Sequence, residues 1–162
     1  MKKHVFLLPA LLLCLLLTAC SGGGPQEKPV SIYDLQTAML AADSSLPDML
    51  TVNSAGADGA EMFSHLSHVD YEKVDGFFLA YSATGLADEV AVVRLKEVGH
   101  VKEMEASLRD HVEGRVKLYR NYQPDQMRRV EEGLIFTRGH YAVLIISDQP
   151  SRIRATFEQA VE

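Results

Sequence analysis

His65 and His68 are the residues whose type and spacing come closest to a metal site in this sequence. They lie three positions apart in a segment that the sequence predicts to be helical, so their side chains can approach each other on one helix face. Two histidines on one face can begin a zinc site, but zinc takes three or four protein ligands. The nearby carboxylates Glu61, Asp70 and Glu72 follow no ligand spacing. His65 and His68 are therefore candidate ligands without a complete set, and two surface histidines are the simpler interpretation.

The other histidines downstream form no catalytic motif. His100, His111 and His140 are scattered, and His140 falls in a predicted hairpin turn. The sequence contains no Gly-x-Ser-x-Gly, Ser-x-x-Lys or His-Glu-x-x-His pattern. We therefore assign no catalytic residue and no cofactor. The alternative is a divergent cell-envelope enzyme or metal-binding protein that uses His65 and His68.

An aromatic and basic segment could form an interaction surface. Tyr119 and Tyr122 surround Arg120, and further arginines lie on both sides of them. Tyrosine and arginine are the side chains that most often anchor protein interfaces. The other interpretation is a corner between two helices, with the Tyr rings half-buried and the Arg stems lying over them.

The first 20 residues have the layout of a secretory signal peptide. Lys2 and Lys3 are followed by an apolar run from Val5 to Leu17, and small residues then precede Cys20. The run is too short for a transmembrane helix, which needs about 20 apolar residues, and Pro9 interrupts it. We therefore predict a signal peptide over residues 1–19 and a linker over residues 20–30, where three glycines and two prolines occur.

The Leu-Thr-Ala-Cys ending at Cys20 resembles the lipobox of bacterial lipoproteins. This resemblance implies cleavage before Cys20 and a diacylglyceryl group on its thiol. We therefore expect a lipid anchor in the cell membrane, on the extracytoplasmic face. Cys14 leaves with the signal peptide, so the mature domain has no thiol for a disulfide or a metal site.

The charge of the chain excludes one class of partner. Removal of residues 1–19 leaves 14 basic and 22 acidic residues, a net charge of −8. Such a surface argues against nucleic-acid binding, which depends on basic residues. The expected partners are the membrane, through the anchor at Cys20, and a cell-envelope protein.

Hydrophobic periodicity predicts one α+β domain over residues 31–162. Gly76 to Ser82 and Glu89 to Lys96 read as one hairpin, and Leu134 to Arg138 and Tyr141 to Ser147 as another. The longest predicted helix covers Val98 to Asn121, with an apolar stripe at helical spacing. We therefore predict an antiparallel sheet of about four strands with helices packed against it.

Three stretches resemble a family of small bacterial lipoproteins known as domain of unknown function 4358. They are Leu66–Glu97, Gly114–Met127 and Gly139–Pro150. The resemblance implies export, lipid anchoring and an α+β fold. The family has no established activity, so the resemblance implies no catalytic residue.

Overall fold

One antiparallel sheet organises the protein, seen in a computed structural model that describes residues 30–162. Its strands are β1 (Met49–Asn53), β2 (Val74–Ser82), β3 (Glu89–Leu95), β4 (Leu134–Arg138) and β5 (Tyr141–Ile146). Their order in the sheet is β1-β2-β3-β5-β4. The signal peptide, Cys20 and nearly all of the linker lie outside the described residues.

The two predicted hairpins are confirmed, and the predicted strand number is wrong. β2 pairs with β3, and β4 pairs with β5, in each case antiparallel. The fifth strand is Met49–Asn53, which pairs with β2 along the edge of the sheet. Its sequence alternates apolar and polar residues only over the four residues Leu50–Asn53, and the burial of the strand does not alternate, since Leu50 and Thr51 are both exposed. The sequence therefore indicates no more than a short extended piece there.

Helices cover both faces of the sheet. On one face lie α2 (Gly59–Leu66), α3 (Val101–Tyr122) and α4 (Met127–Glu131), and on the other lie α1 (Ile32–Ala41) and α5 (Pro150–Val161). Short 3-10 turns precede β2, α3 and α4, at Tyr71–Lys73, Val98–His100 and Pro124–Gln126. No helix among residues 30–162 is long and apolar enough to span a membrane.

The alternation of side chains along the strands divides the core into two halves. Phe77 lies on the side of the sheet that α3 covers, and Phe78 lies on the side that α1 and α5 cover. Both are fully buried. These two aromatic residues are therefore core residues. β5 lies between β3 and β4, and all six of its residues are buried, as its uninterrupted apolar sequence predicts.

Candidate functional site

The sheet has two chemically different ends. At one end the backbone carbonyl of Val30 accepts a hydrogen bond of 2.8 Å from Nη1 of Arg94, near the end of β3. We call this the Val30 end. At the opposite end β2 ends, β3 begins and β5 ends, and we call it the far end. The far end carries a network of charged residues, all buried or half-buried except the exposed Asp148: Asp88, Glu89, His111, Arg115, Arg129 and Asp148.

Glu89 is the most enclosed carboxylate that faces α3. Its side chain is 2% exposed, and each carboxylate oxygen has its own cationic or imidazole partner. Oε1 lies 2.7 Å from Nε2 of His111, and Oε2 lies 2.9 Å from Nη1 of Arg115. Burying a carboxylate is costly unless it is paired and hydrogen-bonded, and both conditions are met here. Glu89 therefore joins the first residue of β3 to the middle of α3.

Arg115 and Tyr119 also hold the loop between β2 and β3. Nη2 of Arg115 donates to the carbonyl of Ala87 at 3.0 Å, and its guanidinium lies 5.1 Å from the centre of the Tyr119 ring. The Tyr119 hydroxyl lies 2.8 Å from the carbonyl oxygen of Leu86 and 3.1 Å from that of Gly85. Gly85 has a φ of +80°, which favours glycine in this turn. Tyr119 is therefore buried, and its hydroxyl holds the loop between β2 and β3.

A second ion-pair group fixes α4. Nη1 of Arg129 lies 2.7 Å from Asp88 Oδ2, and its Nη2 lies 2.7 Å from Asp148 Oδ2. Burial raises the pKa of Asp88, and Arg129 offsets only part of this effect. Burial acts to lower the pKa of Arg129, but the hydrogen bond to Asp148 and the charge of Asp88 outweigh it, so that pKa is raised. An open groove of about 350 Å³ lies beside this group, between α4 and the start of α5.

Asp43 connects the chain after α1 to the beginning of α5. Its Oδ1 accepts from the amide of Ser45 at 2.9 Å, and its Oδ2 accepts from the amide of Gln149 at 3.2 Å. Burial acts to raise the pKa of Asp43, but the hydrogen bonds from Ser45, Ser147 and Gln149 outweigh it, so the pKa is lowered. The carboxylate also lies at the N-terminus of α5, where a negative charge is favourable.

The two histidines considered as candidate metal ligands, His65 and His68, have no third ligand in the described part of the chain. His65 and His68 are both exposed, and residues 30–162 contain no group of three or more His, Cys, Asp or Glu placed to hold a metal ion. Nδ1 of His68 instead lies 3.1 Å from Oγ of Ser107 on α3. That hydroxyl is also 2.8 Å from Oγ of Ser67, so the contact joins the end of α2 to α3.

Two arrangements resemble parts of a catalytic site, and in each of them one essential group, Ser107 or Glu89, is buried. Ser107 and His68 could act as a nucleophile and a base, but Ser107 is 1% exposed and its hydroxyl already contacts Ser67. Glu89 and His111 could act as a carboxylate and a base, but both oxygens of Glu89 are already engaged. A catalytic group must reach the substrate within hydrogen-bond distance. The geometry of both arrangements therefore serves the fold.

The last two turns of α3 expose two large apolar side chains. Tyr122 is 77% exposed, and Leu118, one turn earlier, is 50% exposed. Lys117 and Arg120 are also exposed, and neither has an ion-pair partner among residues 30–162. We call these four residues the Tyr122 surface. The structure thus separates the two predicted tyrosines, with Tyr119 facing inwards and Tyr122 facing solvent.

Sequence reasoning missed the partners of Asp88 and Glu89. One signal was present, because alternation along β3 puts Glu89 on the same face as Ala91 and Val93, which pack towards α3. A carboxylate on that buried face requires a partner from the helix above it. Which residues of α3 would supply the partner depends on the position of the helix along the sheet.

The described domain is thus an α+β domain with a charged, enclosed far end and one exposed apolar surface beside it. The family model "Domain of unknown function (DUF4358)" matches residues 49–147, more than half of the chain, and the chain belongs to this family. The match begins at β1 and ends just after β5, so it contains every strand of the sheet. No curated protein and no solved structure matches the chain.

Proposed function

We propose that this protein is lipid-anchored through Cys20 on the extracytoplasmic face of the cell membrane and binds another cell-envelope protein without catalysing a reaction. The anchor is supported by the signal-like residues 1–19 and by the Leu-Thr-Ala-Cys sequence that ends at Cys20. Two acyl chains hold a protein firmly at a membrane, whereas one binds marginally.

The observation that carries the binding role is the exposure of Tyr122 and Leu118. Their side chains are 77% and 50% exposed, although the described chain buries most of its large apolar residues. Exposed apolar side chains that adjoin one another mark interaction surfaces more often than isolated ones do. Tyrosine supplies a rigid, amphipathic ring that loses little conformational entropy on binding.

The charge around this surface indicates the chemistry of the partner. Residues 115–129 contain five basic residues and one acidic residue, in a chain whose net charge is −6. Arg115 and Arg129 are held by the buried carboxylates, whereas Lys117 and Arg120 remain exposed. The partner that fits is therefore a protein surface with an apolar recess for Tyr122 and acidic residues around it.

The test is crosslinking of the tagged protein in its native membrane, followed by purification and identification of what is recovered. We expect one partner in near-equal amount with the wild type and a strong loss with Tyr122→Ala. Tyr33→Ala is the matched control, because Tyr33 is also exposed, at 65%, but lies on α1. Equal recovery with Tyr122→Ala and Tyr33→Ala would contradict the proposed surface. Recovery of stoichiometric zinc instead of a partner would favour the alternative at His65 and His68.

The anchor is tested separately with Cys20→Ala. We expect the precursor to remain unprocessed or the protein to leave the membrane fraction. Unchanged processing and unchanged membrane retention in this variant would contradict anchoring through Cys20.

A further inference from the structure

We propose that the Val30 end of the domain rests on the lipid headgroups and that the Tyr122 surface is held away from the membrane. This inference depends on the proposed anchor at Cys20. It assigns a membrane-contacting surface made of Val98, Lys96, Lys102 and Arg138, and it assigns the lipid headgroup layer as its occupant.

The position of Val30 determines where the linker meets the domain. The Val30 carbonyl is bonded to Arg94, which is also paired with Asp75 and lies opposite Tyr141 in the sheet. The chain therefore enters the domain at a defined point on the Val30 end. α3 also begins at this end, where Glu103 pairs with Lys73.

The lengths of the linker and the domain then favour one orientation. Ten residues separate Cys20 from Val30 and can span at most about 35 Å when fully extended. A Gly-rich coil of that length has a root-mean-square span of about 17 Å. The 22 residues of α3 extend about 33 Å from the Val30 end to the far end. Contact of the far end with the membrane would therefore require a linker close to full extension.

The surface chemistry of the Val30 end is compatible with lipid headgroups. Val98 is 60% exposed in the turn before α3, and the exposed residues Lys96 and Lys102 lie on either side of it in the sequence. Arg138 is exposed at the end of β4, in the adjoining turn of the sheet. Lysine and arginine side chains attract anionic headgroups, and their apolar stems can lie along the interface.

The carboxylates at the Val30 end are partly neutralised. Glu103 pairs with Lys73, and Asp75 pairs with Arg94. Four further carboxylates are exposed there and oppose binding to anionic lipid: Asp34, Asp70, Glu72 and Glu97. Lys96, Lys102 and Arg138 have no ion-pair partner among residues 30–162, so their charges are available to anionic headgroups.

The orientation can be measured with single labels along α3. The mature chain has no cysteine besides Cys20, whose thiol would carry the lipid, so one introduced cysteine can be labelled alone. Val98→Cys, Asp110→Cys and Leu118→Cys lie at exposed positions, and the last two are about 12 Å apart along the helix. Each labelled, lipidated protein is reconstituted in phosphatidylcholine vesicles that contain phosphatidylglycerol and a headgroup-attached fluorescence quencher.

We expect quenching to be several-fold stronger at position 98 than at 118, with 110 between them. Lys96→Glu together with Arg138→Glu should reduce quenching at 98, whereas Arg152→Glu on α5 should leave it unchanged. Equal quenching at all three positions, or the reverse order, would overturn the proposed orientation. Failure of the protein to associate with vesicles would instead contradict the anchor, so the two proposals fail in distinguishable ways.

Discussion

Replacement of Arg115 by methionine removes the cation that pairs with the most enclosed carboxylate facing α3. Glu89 is 2% exposed and Arg115 is 17% exposed, so solvent screens the pair weakly. Breaking a buried ion pair by removing one partner costs about 3–5 kcal/mol, because the remaining charge stays buried. The substitution also removes the donor to the Ala87 carbonyl. His111 still contacts the other oxygen of Glu89, so we expect a loss of about 3 kcal/mol.

The measurement is equilibrium urea unfolding followed by circular dichroism, because the chain has no tryptophan to serve as a fluorescent reporter. With a denaturant dependence of about 1–3 kcal/mol per molar, the midpoint should fall by about 1–3 M. Arg109→Met is the matched control on the same helix, since its pair with Glu105 is solvent-exposed. That control should cost no more than about 1 kcal/mol.

A double variant distinguishes the cost of leaving the Glu89 carboxylate unpaired from the cost of losing the packing of the Arg115 side chain. Adding Glu89→Leu to Arg115→Met removes the unpaired carboxylate, and replacing both members of a buried pair with apolar residues is often close to neutral. We expect the double variant to recover at least half of the lost stability. If Arg115→Met behaves like Arg109→Met, or if the double variant is no more stable than Arg115→Met, the reasoning about the buried charge is refuted.

Three further predictions concern single residues. Gly114→Ala should stabilise the protein by about 0.5–1 kcal/mol in urea unfolding, because alanine favours the helix and its Cβ at this exposed position of α3 would meet no atom within 4 Å. A decrease in stability would show that the space around residue 114 is not open. Asp43→Asn should cost about 1–3 kcal/mol at pH 7. The folded pKa of Asp43 is lowered, so its carboxylate stabilises the fold above the ordinary pKa of about 3.9. This contribution disappears as the pH falls through the folded pKa. The difference in free energy of unfolding between wild type and Asp43→Asn should therefore shrink as the pH is lowered, and a constant difference would contradict the role assigned to Asp43. Tyr119→Phe should cost about 1–2 kcal/mol through its lost hydrogen bonds, whereas Tyr122→Phe should stay within about 0.5 kcal/mol of wild type in the same measurement.

The residues on the regular parts of the chain allow the fold to be predicted from the sequence. Alternation along β3 separates Ala91 and Val93 from Val90 and Val92, and the structure packs the two sets on opposite faces. On α5, Ile153 and Phe157 are buried one turn apart, as their spacing predicts. These features depend only on the periods of strands and helices, which are properties of the local chain.

The edge strand and the charged network could not be predicted in this way. Met49–Asn53 becomes a strand because β2 offers it a partner, and the alternation in its own sequence covers only four residues, too few to establish a strand. Asp88 and Arg129 lie 41 positions apart, and they meet only because α4 packs beside the beginning of β3. Such contacts depend on how elements are placed in three dimensions, and the spacing of residue types along the chain carries no record of that placement.

The last two turns of α3 carry both the hydrogen bonds to the loop between β2 and β3 and the exposed residues of the Tyr122 surface. Arg115 and Tyr119 face the loop between β2 and β3, whereas Leu118 and Tyr122 face solvent. Association costs less when the binding residues are already ordered. Because several hydrogen bonds hold one side of the end of α3, its exposed side should lose little conformational entropy when it binds a partner. We accordingly expect Tyr119→Phe to weaken partner recovery less than Tyr122→Ala does, because Tyr119 acts only through the position of the helix.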